Sequence, residues 1–326
     1  MRRMREGERG AALLAVLLLV AITGAIAAAA LERLRLSRAV AENATAIEQA
    51  RAFAIGVEQL AILTLDDRIA ESPDRTLDTG WNGAVRRIGL PGGAMAEVRV
   101  RDGGNCFNLN SLVEGDPRTA LTRRPSGVSQ FTGLMLALEV PEGEARRIAE
   151  ATADWIDSDS DPGPVGAEDA AYAAGDAPYR TGNTLFADPG ELRAIAGVSP
   201  ALYRRLRPWL CAPPTSDLSP LNINTLRPEQ AALLAMLAPG QLSLERARQV
   251  LANRPSTGWG NQIEFWRTET LSGLNVPLDV QLQPQLKTVW YTFDIAVSVG
   301  DSHFDEHVLV DARLQPSRVV ARRWGS

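Results

Sequence analysis

Histidine and cysteine are scarce in this chain of 326 residues, which holds two of each: His303 and His307, Cys106 and Cys211. Zinc clusters and histidine-based catalysis therefore have almost nothing to draw on, and any metal site must be built from carboxylates. A basic excess is also lacking. The 34 Lys and Arg fall short of the 39 Asp and Glu, leaving a net charge of −5, which argues against a general binder of phosphate backbones. No nucleophile elbow, P-loop, histidine metal motif or dinucleotide fingerprint occurs. The two histidines have no obvious serine or cysteine partner, and no enzyme is expected. No fixed-period repeat spans the chain, and no long low-complexity linker divides it. What is abundant is apolar: with 45% hydrophobic residues, the chain can bury one large core or two modest ones.

The longest uncharged run, Ala11 to Leu31, follows Arg2, Arg3, Arg5 and Arg9, which outnumber Glu6 and Glu8. About 20 apolar helical residues cross a bilayer, and the preceding arginines hold the N-terminus in the cytoplasm. The remainder would be exported. Three readings of the run compete. A secretory signal peptide would be cut near Ala27 to Ala30, but the run exceeds the usual apolar region of such peptides and no polar turn follows it. A plain uncleaved anchor is the second. The third is a leader cut after Gly10, which the next segment favours. Val40, Ala44, Ile47, Ala54, Val57 and Ala61 recur near a helical period, with no proline before Pro73, so Ala11 to Leu65 predicts one rod of about 80 Å.

Residues 94–101 alternate as a half-buried strand, and Val289 to Val299 and Val308 to Leu314 alternate on either side of a Gly300-Asp301 turn, the pattern of a hairpin. Strands therefore flank a long middle region. Between them the chain reads as short helices: Gly143 to Ile156, Glu191 to Leu210, Arg227 to Leu237 and Leu244 to Asn253. The simplest topology is α+β: a small antiparallel sheet packed on the N-terminal helix, with a large, mainly α-helical domain inserted between strands.

Four motifs lie in order behind this N-terminus: Cys106-Phe107-Asn108-Leu109-Asn110, Asp154-Trp155-Ile156-Asp157-Ser158-Asp159, Gly166-Ala167-Glu168-Asp169 with Tyr172, and Leu221-Asn222-Ile223-Asn224-Thr225. Together they resemble the K-type minor pseudopilins of bacterial type II secretion, a family with a pilin-like fold. The resemblance implies that a prepilin peptidase cuts between Gly10 and Ala11 and that the new amino group is methylated. Most pilin relatives place glutamate five residues after the cut, a buried carboxylate that pairs with the neighbouring subunit's amino terminus. Here the position holds Ala15, a departure that characterises the K-type subunits. The implied organisation is a cytoplasmic leader 1–10, a transmembrane segment 11–31 and a periplasmic helix 32–72. A pilin-like domain of 73–107 and 286–326 would surround an inserted helical domain, 108–285.

Alternating Asp157, Asp159 and Asp161 can converge on one cation, with Glu168 or Asp169 closing the shell. The loop lacks the glycine and glutamate spacing of an EF-hand. The alternative is a solvated acidic loop in which Asp154 or Asp157 caps a helix end, and the resemblance favours structural Ca²⁺. Cys106 and Cys211, exported together, would form a disulfide in an oxidising periplasm, worth about 4–5 kcal/mol in the chain-entropy account. Two buried, inert cysteines are the alternative. Residues 219–260 resemble a helix-hairpin-helix module, the basis for a rival reading as a membrane-anchored periplasmic DNA receptor. Gln241-Leu242 after Gly240 breaks the glycine-rich turn that would present N–H groups to a phosphate, so packing alone is expected of the module and no nucleic acid partner. Asn222, Asn224 and Thr225 would then cap the next helix or bond local backbone.

The resemblance thus implies a single-pass inner-membrane protein with its C-terminal domain in the periplasm. It would sit at the tip of the pseudopilus, initiating or capping its assembly for export of folded proteins. Its partners would be I-type and J-type minor pseudopilins and the major pseudopilin fibre.

Overall fold

The computed structural model describes residues 6–174 and 178–325; part of the expected leader, residues 1–5, lies outside these. α1 (Glu6–Glu71) is one helix of 66 residues, about 100 Å of contour at about 1.5 Å per residue. From Ala11 to Thr45 its side chains are exposed, and α1 holds a stretch long and apolar enough to cross a membrane, with a mean hydropathy of 2.7 over 18 residues. Packing starts at Ala50. Ala50, Ala54, Val57 and Leu65 recur on one face and are buried, as a helical period requires.

β1 (Val85–Gly89) and β2 (Met95–Asp102) pair as an antiparallel hairpin. The chain then leaves the sheet through β3 (Phe107–Asn108), the paired β4 (Val113–Asp116) and β5 (Ala120–Arg123), α2 (Pro125–Ala137), α3 (Glu142–Ile156) and the single turn α4 (Asp169–Tyr172). α5 (Pro200–Leu206), β6 (Leu210–Cys211), α6 (Ala231–Ala235), α7 (Leu244–Ala252), α8 (Gln262–Trp266) and α9 (Leu278–Gln281) follow. It returns as β7 (Trp290–Val299), β8 (Ser302–Asp311) and β9 (Arg318–Trp324), giving a sheet of order β1-β2-β7-β8-β9. Phe293, Ile295, Val297, Val308 and Val310 alternate onto the α1 face and form one core with it. A second, larger core lies wholly within the insertion, around Phe107, Phe131, Leu134, Ile148, Leu206 and Phe265. The fold is α+β, a pilin-like helix on an antiparallel sheet with a mainly helical insertion.

Several elements depart from the sequence reading. α2 has no helical counterpart there because Gly127 and Gly133 dilute its pattern, yet a Cβ on Gly127 would sit 2.1 Å from the Ser111 carbonyl oxygen. Its neighbours demand glycine. β9, sequence RVVARRW, is assigned no strand from the sequence but is fastened to α1. Arg322 grips the buried Glu58 at 2.5 and 2.8 Å, Ser317 donates to Asp66, and Arg51 lies 4.3 Å over the Trp324 ring. The expected helix Glu191 to Leu210 is also divided, into a 3₁₀ turn, α5 and a second 3₁₀ turn. Pro200 and Pro208 lack the N–H groups a continuous helix would need.

The insertion repeats one design twice, which a search for a fixed period does not find. Phe107-Asn108-Leu109-Asn110-Ser111-Leu112 opens the first unit and Leu221-Asn222-Ile223-Asn224-Thr225-Leu226 the second. In each, the first asparagine accepts from the backbone N–H of the second, at 2.9 Å. The second asparagine clamps both backbone groups of a distant buried aromatic, Phe186 in one unit and Trp259 in the other. A helical hairpin follows each opening, α2–α3 and α6–α7. Each clamped aromatic precedes a capped turn, Asp188 with Glu191 and Asn261 with Glu264. Each unit then returns beside its own start, Cys211 pairing parallel to Asn108 and Gln285 to Asn222. The first unit is longer because an acidic loop separates α3 from Phe186.

Candidate functional site

That loop is the candidate site. Asp157 makes the last backbone bond of α3, to the Ala153 carbonyl, and leaves in extended backbone with its side chain turned inward. The chain swings through Asp159 and Asp161 and returns past Gly163 and Gly166. A Cβ on Gly166 would lie 1.8 Å from Asp154 Oδ2, so the return path depends on glycine. It brings Glu168 back beside α3. Carboxylate oxygens of Asp157, Asp159 and Glu168 then lie within 4.8 Å of one another.

Asp157 and Glu168 are 2% and 6% exposed, and Asp157 Oδ1 and Glu168 Oε1 are buried without a hydrogen-bond partner. Leaving such oxygens unpaired costs about 1–3 kcal/mol each, more when charged. Burial, then the charges of Asp159, Asp154 and Glu168, push the Asp157 carboxyl up to about 7. Burial, followed by Asp154, also raises Glu168. Arg123 is engaged by Asp154 at 2.5 Å and Glu150 at 2.7 Å. Three converging carboxylates, two with orphaned oxygens, fit a hard divalent cation.

Two of the five carboxylates predicted as ligands stand apart. Asp161 is exposed and gives its N–H to Asp159 Oδ1. Asp169 accepts from the Thr181 N–H and hydroxyl, both at 2.9 Å, which hold its carboxyl low. Asp154, considered as a helix cap, is instead fully buried between Arg123 and the Gly163 N–H.

Cys106 and Cys211 form a disulfide with Cα atoms 5.8 Å apart. It joins the start of the first unit to its end, just beyond the last strand of the first sheet hairpin. A buried polar joint lies on the same side. Asp102, at the end of β2, accepts from the Gly104 and Asn105 N–H groups and from the Thr225 and Thr288 hydroxyls; burial nevertheless raises its pKa. Asn222 donates to the Thr76 carbonyl and the Thr288 hydroxyl, and its N–H reaches Asn105 Oδ1. The local bonds predicted for Asn222 and Thr225 are present, but the same residues also fasten the insertion to the sheet. The bond from Thr225 to Asp102 left no trace in residue spacing.

The helix-hairpin-helix-like segment turns at Gly240, φ 73°. Gln241 exchanges side-chain bonds with the backbone of Asn275, at 3.1 and 2.9 Å, and Leu242 is buried. The turn is engaged in internal packing. At the other end of the chain, the Gly10–Ala11 bond lies within α1, and Ala15 is exposed in its apolar part.

Two family models, both described as type II secretion system protein K, match residues 105–215 and 221–288, a division that coincides with the two repeated units. The chain is 34% identical to the type II secretion system protein K of Pectobacterium carotovorum subsp. carotovorum, over 99% of this chain and 98% of that protein. Its counterpart from Klebsiella pneumoniae is 35% identical over the same shares. A chain of the crystal structure of the GspK-GspI-GspJ complex from enterotoxigenic Escherichia coli superposes with a TM-score of 0.73. The identity is 27%, covering 86% of this chain and 96% of that one. With family models over more than half its length and relatives matched end to end, the chain belongs to the type II secretion system protein K family.

Proposed function

We propose that the chain is the tip subunit of a type II secretion pseudopilus, anchored in the inner membrane by residues 11–31 with its folded part in the periplasm. A prepilin peptidase would release it between Gly10 and Ala11. The observation that carries the reading is a membrane-length helix continuous with a pilin-type helix-on-sheet core, joined to a bulky insertion between β2 and β7. A second copy stacked above would meet that insertion, so repetition along a fibre is disfavoured and one terminal place is favoured. Ala15 fits the same place, because a subunit at the end has no neighbour above whose amino terminus needs a carboxylate. The GspK-GspI-GspJ complex supports I-type and J-type minor pseudopilins as partners. The fibre below would consist of the major pseudopilin.

In the acidic loop, Asp157, Asp159 and Glu168 would hold a Ca²⁺ ion, with backbone carbonyls and water completing the six to eight oxygens it takes. The ion's contribution would be charge neutralisation, ordering the return of the loop. Gold labelling of an epitope-tagged chain on isolated pseudopili tests the tip assignment. Label at fibre ends only is expected. Label spaced along the shaft would contradict it.

A further inference from the structure

The two units of the insertion meet along a seam that their packing leaves open. A groove of ≈ 340 Å³ follows it, lined by Glu114 and Arg124 of the first unit, Asp279, Leu282 and Gln283 of the second, and Asp217 of the connection between them. Three carboxylates face one guanidinium, and that guanidinium is already engaged. Arg124 lies 3.3 Å from Glu114 and donates to the Ser216 carbonyl at 2.6 Å. Asp279 accepts from neutral donors, the Ser126 hydroxyl and the Val280 N–H. Asp217 has Arg313 at 3.4 Å, a guanidinium that Asp311 holds more closely, at 2.7 Å. Gln283 is the most buried of the six, 4% exposed. Its Oε1 accepts from Gln130 at 2.7 Å, whereas its Nε2 has no acceptor among the described residues.

The wall supplied by the second unit continues into an apolar surface. Leu282 is 58% exposed, and Leu278, one turn earlier on the same helical face, is 70% exposed. α8 is fastened beside them by Trp266 Nε1, which donates to the Gln281 carbonyl, and by Gln262, which donates to the Leu282 carbonyl. It adds Ile263, 63% exposed. Large aliphatic side chains gathered on two neighbouring helices beside a groove mark an interaction surface. A metal ion does not suit it: among the described residues only the acidic loop brings three ligand atoms within 4.8 Å of one another. An anionic bilayer would be repelled by the carboxylates, and a small polycation would leave the leucines in water. A polypeptide meets all the features together. Basic side chains answer the carboxylates, apolar ones answer Leu278 and Leu282, and a main-chain carbonyl can accept from Gln283 Nε2.

We propose that the seam between the two units docks an extended, basic segment of a partner protein, with apolar residues on Leu278 and Leu282 and Lys or Arg facing Glu114, Asp217 and Asp279. The proposal goes beyond the pseudopilus reading and does not depend on it. The test uses the full chain in nanodiscs of zwitterionic lipid, with a fluorescent alternating valine–lysine hexapeptide as the probe and its valine–glutamate counterpart and empty nanodiscs as controls. Anisotropy is measured for the parent chain, D217N/D279N and L282S, all substituted at exposed positions. Binding of the basic peptide alone is expected, weakened about tenfold or more in D217N/D279N and about fivefold in L282S. p-Benzoylphenylalanine in place of Leu278 should capture the peptide, and in place of Val165, 43% exposed in the acidic loop, should not. Undiminished binding by either variant, or capture from position 165 alone, would overturn the proposal. Complete displacement of the peptide by equimolar spermidine would also overturn it, because charge alone would then suffice. So would no binding by the parent chain at up to about 100 μM.

Discussion

Asp157 is a carboxylate made unfavourable by its own neighbours, and its energetics set the pH response of the loop. Its folded pKa, about 7, lies above the ordinary 3.8, so without metal the folded chain holds a proton that the unfolded chain has released between those values. The metal-free protein should therefore lose stability as pH rises from about 4 to about 7. A bound cation must displace that proton, so affinity should fall as pH drops through 7. Terbium luminescence sensitised by Trp155, two residues away, and melting curves at pH 5.5 and 8 should show stronger binding and greater stabilisation at pH 8. D157N should weaken the fall in metal-free melting temperature between about pH 4 and about pH 7. A pH-independent terbium affinity would contradict this account. Glu139 offers a separate test, because it holds φ 61° in the turn between α2 and α3, where a side chain is strained. Glu139→Gly should stabilise the chain by about 1 kcal/mol in denaturant unfolding. The alternation of Asp157 and Asp159 and the return at Glu168 were legible in the sequence. The exclusion of Asp161 and Asp169 was not, because it depends on the exposed turn that Asp161 makes onto Asp159 and on Thr181, which claims the Asp169 carboxylate.

At the level of elements, the asparagine clamps are the recurring support of the insertion. Asn110 and Asn224 each satisfy a buried backbone N–H and carbonyl far along the chain. Asn224→Ala would leave both groups of Trp259 unpaired and should cost about 2 kcal/mol or more. Asn261→Ala, which removes an ordinary helix cap, should cost about 1 kcal/mol. Equal costs in paired unfolding measurements would show that the clamp is only a cap. Long periodic elements were readable beforehand: α1, β2, the β7–β8 hairpin, α3 and α7 all follow from their alternation or helical spacing. α2 was hidden by glycines that its neighbours require, and β9 by arginines whose partner, Glu58, lies on a helix more than 250 residues earlier. The repeated unit escaped because its two copies differ in length by the acidic loop, so no constant period exists. Its signal is the six-residue match between Phe107–Leu112 and Leu221–Leu226.

For the whole molecule, an exposed apolar helix, a pilin-type core and a doubled helical insertion are joined in one chain. The sequence disclosed the helix, the central strands of the sheet and the place of the insertion, because each is a local pattern. The joint at Asp102, Asn222 and Thr288 draws on three separate segments and could be seen only once they were folded together. The central claim is that this chain enters the membrane as a pilin-like subunit and is processed as one. Intact-mass and N-terminal peptide mass spectrometry of the protein extracted from membranes tests that claim most directly. A mature chain beginning at Ala11 with a methylated amino group is the predicted result, whereas an intact Met1 or a start near Leu31 would contradict it.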